Sequence, residues 1–254
     1  MRIVSYNILD GGGGRADPLA EVILAQRADV VSLVEADHLP TLERIADRLK
    51  MDFIHGPGQK SAAALLSRWP ITKTINHALL RGGLEKSFLE AEVVEPAGRA
   101  WTIGVVHLHA HAGEEDEQQR EREIQIVLDT FRERRERNQP HILTGDFNSN
   151  APYQQIDIDR CKSSTRKEWE ANGRLIPRRV VQRILDSGYA DSLRAFDSQA
   201  GETATTFSTK DPGQRVDYIF TFDLPEQSMK SAWIEQHRLA KYASDHYPIG
   251  AEID

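Results

Sequence analysis

The chain predicts a mixed α/β domain, and three observations predict it. Eight short apolar runs are each bounded by Gly, Pro, Asn or charged residues, as strands are. Three other stretches repeat apolar residues at helical spacing. The 254 residues, 39% hydrophobic and 28% charged, hold enough apolar material for one substantial core. Sheet-rich single domains often reach this length, so one domain over residues 1–254 is expected.

The strand-like runs, in order, are "RIVSYN", "DVVSLVE", "SAAALLSRW", "SFLEAEVV", "WTIGVVHL", "HILTGDF", "RVDYIFTF" and "YPIGAEI". Between them, Leu42, Ile45, Ala46 and Leu49 mark one helix, and Ile124, Val127, Leu128 and Phe131 mark another inside the charged run 114–137. Both are expected to lie on a sheet. A third helix is expected to begin near Pro177, a good first-turn residue, to bury Val180, Val181, Ile184 and Leu185, and to end before Gly188. Residues 150–176 are polar with little periodicity and read as a surface insertion, the expected specificity element. No internal sequence repeat is seen.

Net charge is −7 and the sequence pI about 5.7, so no global positive field draws the protein onto a polyanion. Locally the balance reverses: residues 150–183 carry eight basic side chains against four acidic ones. That segment reads either as a solvated face or as a basic wall for a phosphate-bearing substrate. Cys161 is the only cysteine, which excludes an internal disulfide and fits a reducing compartment. The N-terminal apolar run is too short for a signal peptide or a membrane span, so a cytoplasmic protein without a membrane span is expected.

Polar groups stand at the ends of the apolar runs: Asn7, Glu35, His107, Asp146 with Asn148, and the pair Asp245–His246. A sheet that brings several strand ends to one edge converges carboxylates, amides and imidazoles without burying unpaired charge in its core. Asp217 differs, being an acid inside an otherwise apolar strand. Singly, each has an ordinary explanation as a turn, cap or packing residue.

Jointly, "SYNIL", "LVEAD", "LLSRWPI", "VVHLH", "TGDFNSN", "QRVDYIF" and "SDHYPIGAEI", in that order, resemble the endonuclease/exonuclease/phosphatase superfamily. The resemblance spans residues 2 to 253, and "GDFN" with "SDHYP" at this separation is its most specific part. It implies a four-layered αββα sandwich, two facing and mainly antiparallel sheets with helices outside. It also implies a metal-dependent phosphoesterase site at one edge.

Residue by residue, the resemblance makes Glu35 the metal-binding glutamate, Asp245 a second acid near the metal and Asn7 the residue that completes or orients the shell. Mg²⁺, with Mn²⁺ as the alternative, wants such oxygen donors. Asp146 matches the residue that positions or deprotonates the attacking water, and Asn148 one that hydrogen-bonds a phosphate oxygen. His246 matches a histidine that contacts the scissile phosphate, Asp217 the acid that holds it, and His107 the second histidine. The substrate is then a phosphate ester in nucleic acid, a lipid head group or a small phosphorylated molecule, and a nuclease is one such reading.

The sequence also departs from the pattern. Leu9 stands where some nucleases of the family carry an acid, and Gly11 to Gly14 follow it without the lysine of a nucleotide-binding loop. Two rival readings stand beside the enzyme. One is a catalytically silent phosphate- or nucleic-acid-binding module of the same fold. The other is a zinc hydrolase built on His107, His109 and His111, whose rings would share one side of an extended strand.

Overall fold

Side chains that alternate along twelve strands give two sheets with both faces covered. The computed structural model describes residues 1–254, residue 226 by its backbone alone. The strands are β1 (Arg2–Asn7), β2 (Val30–Val34), β3 (Asp52–Gly56), β4 (Ala63–Ser67), β5 (Ile71–Asn76), β6 (Ser87–Val94), β7 (Ala100–His107), β8 (His141–Asp146), β9 (Tyr189–Asp191), β10 (Asp217–Phe222), β11 (Met229–Ile234) and β12 (Ile249–Ile253). One sheet runs β11-β12-β1-β2-β4-β3 and the other β5-β6-β7-β8-β10-β9. The pairing follows the same plan in both, a central parallel pair (β1/β2 and β7/β8) flanked by antiparallel neighbours.

Period-two alternation decides what each face buries. Ile3, Val30, Val34, Leu65, Ile103, Val105, Ile142, Ile219 and Ile249 meet between the sheets. The opposite parity, Val4, Tyr6, Val31 and Leu33, packs under the helices Ala16–Ala25, Leu39–Leu49 and Arg238–Ala243. On the far side, Val106, Leu143, Tyr218 and Phe220 pack under the helices Glu114–Thr130 and Arg179–Asp186. The result is the four-layered sandwich expected, helices outside two facing sheets.

This topology delivers polar groups to one edge. A parallel pair ends both of its strands on the same side, and each antiparallel neighbour starts there. The C-terminal ends of β1, β2, β7 and β8 therefore meet the N-terminal ends of β10 and β12. Asn7, His107, Asp146 and Asp217 also share the parity of Ile3, Ile103, Ile142 and Ile219, so all four point into the space between the sheets at that edge.

Three expectations about elements need correction. The charged run 114–137 forms two helices, Glu114–Thr130 and Arg132–Glu136, with Phe131 between them at φ −94 and ψ 7. The third helix starts at Arg179, two positions past Pro177, and Leu185 is only partly buried on it. The insertion is not structureless: it contains the helix Ser163–Ala171, tied to the loop after β7 by Glu168 accepting from Ala112 N at 2.6 Å and Asn172 donating to Ala112 O at 3.1 Å. No helix among the described residues is long and apolar enough to cross a membrane.

Candidate active site

The site is assembled around Asp146, the last residue of β8. In register it sits between His107 on β7 and Asp217 on β10, three polar groups side by side on one sheet. Its approach is set by Gly145, at φ 134, where an added Cβ would lie 2.0 Å from the Val106 carbonyl oxygen. Asp146 Oδ1 accepts from Asn148 N at 2.9 Å, an Asx turn that holds Asn148 at φ 49.

From the facing sheet comes Asn7, whose Nδ2 donates to Asp146 Oδ2 at 3.1 Å and to Glu35 Oε1 at 3.0 Å. Those two bonds use both amide hydrogens, so the 3.4 Å approach of Nδ2 to His246 Nε2 is a contact and not a third bond. Asn7 Oδ1 accepts from Leu9 N at 3.0 Å, and Glu35 Oε2 accepts from Asp10 N at 2.8 Å. Glu35 itself sits at φ 57, a left-handed backbone that a glutamate adopts only where its surroundings hold it.

His246 enters from the segment before β12. Its backbone N donates to Ser244 Oγ at 3.3 Å, and that hydroxyl donates to Asn7 O at 2.7 Å, so the "SDH" turn is fastened to the end of β1. The ring is fixed at Nδ1, 2.9 Å from Asp217 Oδ2, and rests 4.6 Å from the Phe207 ring centroid. Nε2 faces Asp146 Oδ2 at 3.8 Å and Asp245 Oδ1 at 4.0 Å.

Electrostatics separate these groups. Burial, reinforced by Asp217, pushes the Asp146 carboxyl up to about 6, against the pull of His246 and Lys86. Burial alone would lower His246, but Asp217 and Asp146 outweigh it and raise the imidazole to about 9. His107 goes the other way: burial, then the nearby Lys86 and His246 charges, drive it well below its ordinary value. A neutral His107 makes its 3.5 Å approach to Asp146 a polar contact and not an ion pair. Its Nε2 lies 2.6 Å from Lys86 Nζ and its Nδ1 3.4 Å from Ser61 Oγ. Lys86 is itself lowered by burial.

Asn7, Glu35, His107, Asp146, Asp217 and His246 thus form one connected cluster, with Asp245 at its mouth and Asn148 beside it. Asn148 Nδ2 donates to Leu108 O at 3.0 Å, which leaves one amide hydrogen and Oδ1 for other partners. The donor chemistry suits a hard divalent cation, because carboxylate oxygens dominate it. Asp146, Asp217 and His246 each place one ligand atom within 4.8 Å of the others. His246 Nδ1 is already engaged by Asp217, however, and the half-buried Glu35 carboxylate keeps lone pairs on both oxygens.

Two lysines also join the cluster. Lys86 stands immediately before β6 and reaches His107. Lys162, from the insertion, reaches Asp245 Oδ2 at 2.9 Å and lies 4.2 Å from the Phe207 ring centroid. A lysine in a polar stretch gives no sequence signal of a partner 83 positions away. Other basic residues turn away from the site: Arg68 Nε donates to Ala28 O at 3.0 Å. Arg178 holds the carbonyls of Ala151, Pro152 and Gln154, and Arg179 and Arg183 pair with Glu114 and Glu121.

The three-histidine arrangement does not form. β7 ends at His107, His109 is gripped between Glu85 at 2.7 Å and Asp116 at 2.8 Å, and His111 sits at φ 75 with an exposed ring. The His109 and His111 rings lie 6.2 Å apart, but both His109 nitrogens are taken by carboxylates and those of His107 face Lys86 and Ser61.

The model of the Endonuclease/Exonuclease/phosphatase family matches residues 4–246. No curated protein matches the chain. Among solved structures, the chain is similar to an AP endonuclease from Archaeoglobus fulgidus at TM-score 0.72 and 19% identity, covering 100% of this chain and 99% of that one. It is similar to a 3′-5′ exonuclease from Neisseria meningitidis at TM-score 0.68 and 22% identity, covering 100% of both. An endonuclease/exonuclease/phosphatase from Beutenbergia cavernae matches at TM-score 0.69 and 18% identity, covering 100% of this chain and 71% of that one.

Proposed function

Because the chain belongs to the Endonuclease/Exonuclease/phosphatase family, we propose that it is a Mg²⁺-dependent phosphoric ester hydrolase that cleaves a phosphodiester or phosphomonoester with an activated water. The observation that carries this reading is the pairing of a carboxyl raised to about 6 (Asp146) with an imidazole raised to about 9 (His246), 3.8 Å apart. At neutral pH the first is a base and the second a cation, the two states that attack on a phosphoryl group requires.

Asp146 takes a proton from water as its oxygen attacks phosphorus, and Asn7 and Asn148 N aim the carboxylate. His246, held by Asp217, lies where it can hydrogen-bond a phosphoryl oxygen as charge grows there, and Lys86 adds a second positive charge beside neutral His107. The P–O bond to the alcohol breaks and the alcohol departs after gaining a proton from solvent. Glu35 and Asp245 would hold the cation, with Asn7 orienting Glu35. When bound, the cation supplies charge neutralisation at the phosphoryl oxygens. The lone thiol, Cys161, is consistent with a cytoplasmic setting.

The test is hydrolysis of an activated phosphodiester by metal-stripped protein, with Mg²⁺, Mn²⁺ or Zn²⁺ restored, beside Asp146→Ala. Activity restored by Mg²⁺ or Mn²⁺ and lost in the variant is expected. Folded protein that is inactive with every metal and substrate would favour a silent binding module.

A further inference from the structure

A cavity of about 220 Å³ opens beside the catalytic cluster, between the helix Ser163–Ala171 and the loop after β7. Asn148, Lys162 and Phe207 belong to its wall, and the same three touch the site through Asp146, Asp245 and His246. We propose that this cavity receives the alcohol that phosphorus retains when a small phosphodiester is cleaved, and that it is shaped for one hydroxylated ring of sugar size. The inference rests on the phosphoesterase reading and names the substrate class of that site.

Size is the first argument. Pockets for drug-sized ligands run to roughly 300–1,000 Å³, and this one is smaller, so it admits one ring and not a stacked pair of nucleotides. The wall chemistry is the second. Gln214 and Thr165 are 6% and 5% exposed, line the cavity, and make no side-chain hydrogen bond within the protein among the described residues. Neither is among the described polar atoms that are sealed without a partner, so amide and hydroxyl lie within largely buried side chains on the cavity wall and are free to bond a ligand. Amide and hydroxyl groups beside the apolar Phe207 and Val216, with Lys162 toward the catalytic cluster, suit the hydroxyls and the phosphate of a compact ring ester.

The roof is built in place, which is the third argument. Glu168 and Asn172 bind both sides of the Ala112 peptide. Arg120, 1% exposed, donates to the carbonyls of His109, Ala110 and His111 at 3.0, 3.2 and 2.5 Å and pairs with Glu117. A preformed wall selects by shape, because little ordering is left to pay for on binding.

The experiment compares two esters with the same nitrophenolate leaving group, methyl 4-nitrophenyl phosphate and ribose 5-(4-nitrophenyl phosphate), with a DNA duplex as a third substrate. Wild type should prefer the ribosyl ester by kcat/KM. Ser164→Trp, which fills the cavity, and Gln214→Leu, which removes its amide, should each cut the ribosyl-to-methyl ratio by about tenfold or more. Ser163→Trp, with the same bulk outside the wall, should keep it, and thermal melts establish that each variant is folded.

An unchanged ratio in Ser164→Trp, an equal loss on both esters, or duplex cleavage that exceeds ribosyl cleavage would overturn the proposal while leaving the phosphoesterase reading intact. Wild-type protein inactive on all three substrates would overturn that reading instead. Calorimetric titration with ribose 5-phosphate then decides the cavity separately: binding weakened by Ser164→Trp supports it, and no binding to wild type ends it.

Discussion

Asp146 Oδ2 and His246 Nε2 face each other across 3.8 Å, and neither reaches the other in a hydrogen bond. Asp217 takes the far nitrogen of the ring at 2.9 Å and Asn7 takes the carboxyl at 3.1 Å. Asn7 Nδ2 lies on that same Oδ2 and 3.4 Å from His246 Nε2, so a second lone pair of Oδ2 and the Nε2–H remain for the phosphoryl group of the proposed reaction. The two groups also shift each other's protonation in the direction that separates their roles.

That separation predicts a bell-shaped pH profile. The base must be ionised, so kcat/KM should rise as pH passes about 6, and the imidazole must be protonated, so it should fall above about 9. Asp146→Asn should lose about a thousandfold in kcat, within the range of a lost general base, and should lose the acidic limb. Its melting temperature should stay near that of wild type or rise, because the amide keeps the shape and removes the repulsion with Asp217. A variant within tenfold of wild type would remove Asp146 from the role of base.

Asp217→Asn tests the clamp on His246. An amide cannot hold the imidazolium as a carboxylate does, so the alkaline limb should move down from about 9 toward the ordinary histidine value. Loss at neutral pH should be roughly 10–100-fold, the usual cost of removing an orienting partner. A normal alkaline limb in a variant of reduced activity would assign Asp217 to packing alone.

Acid stability should depend on a histidine far from the site. His141, at the start of β8, stacks on Phe131 and Phe222 at 4.8 and 5.0 Å. Its Nδ1 donates to Gln139 O, so Nε2 accepts from Tyr189 OH. Burial depresses its pKa to about 4. Between about 6.5 and 4 the unfolded chain therefore binds a proton that the folded chain refuses, and stability falls as pH falls. The full difference is about 3 kcal/mol. His141→Gln should flatten this limb between pH 7 and 4.5 in denaturant midpoints; an identical slope would show that His141 contributes nothing to it.

The basic wall read in residues 150–183 is largely tied up within the protein. Reversing Arg179 and Arg183 to Glu should leave KM unchanged and lower stability by roughly 1 kcal/mol for each exposed pair lost to Glu114 and Glu121. The loss should shrink in high salt. A raised KM without loss of stability would restore the wall.

How much of this was legible follows from position in the sheets. The eight runs read as strands are the eight interior strands, and the four outside that reading, β3, β5, β9 and β11, are the four edges. An interior strand buries both faces and announces itself by apolar residues. Thr72, Lys73 and Thr74 of β5 are exposed, and such an edge carries no comparable pattern. The cluster was legible for a related reason: Asn7, His107 and Asp146 are polar breaks at the ends of apolar runs, a local signal. Lys162 and the roof over its cavity were not, because their meaning arises only from contacts distant in sequence.

Gly145 predicts the sharpest dependence of site on backbone. Its φ of 134 lies where side-chain-bearing residues are strained, and the Val106 carbonyl oxygen would stand 2.0 Å from an added Cβ. Neither atom can yield without parting β7 from β8 at the end of their parallel pairing, where they deliver His107 and Asp146 together. Gly145→Ala should therefore cost at least about 3 kcal/mol. Where the variant still folds, turnover should fall much further than substrate affinity, since Asp146 moves while the cavity wall contributed by the helix Ser163–Ala171 and the loop after β7 stays. A stable variant with wild-type kcat would show that the end of β8 is free to relax and that the position of Asp146 is not set by this contact.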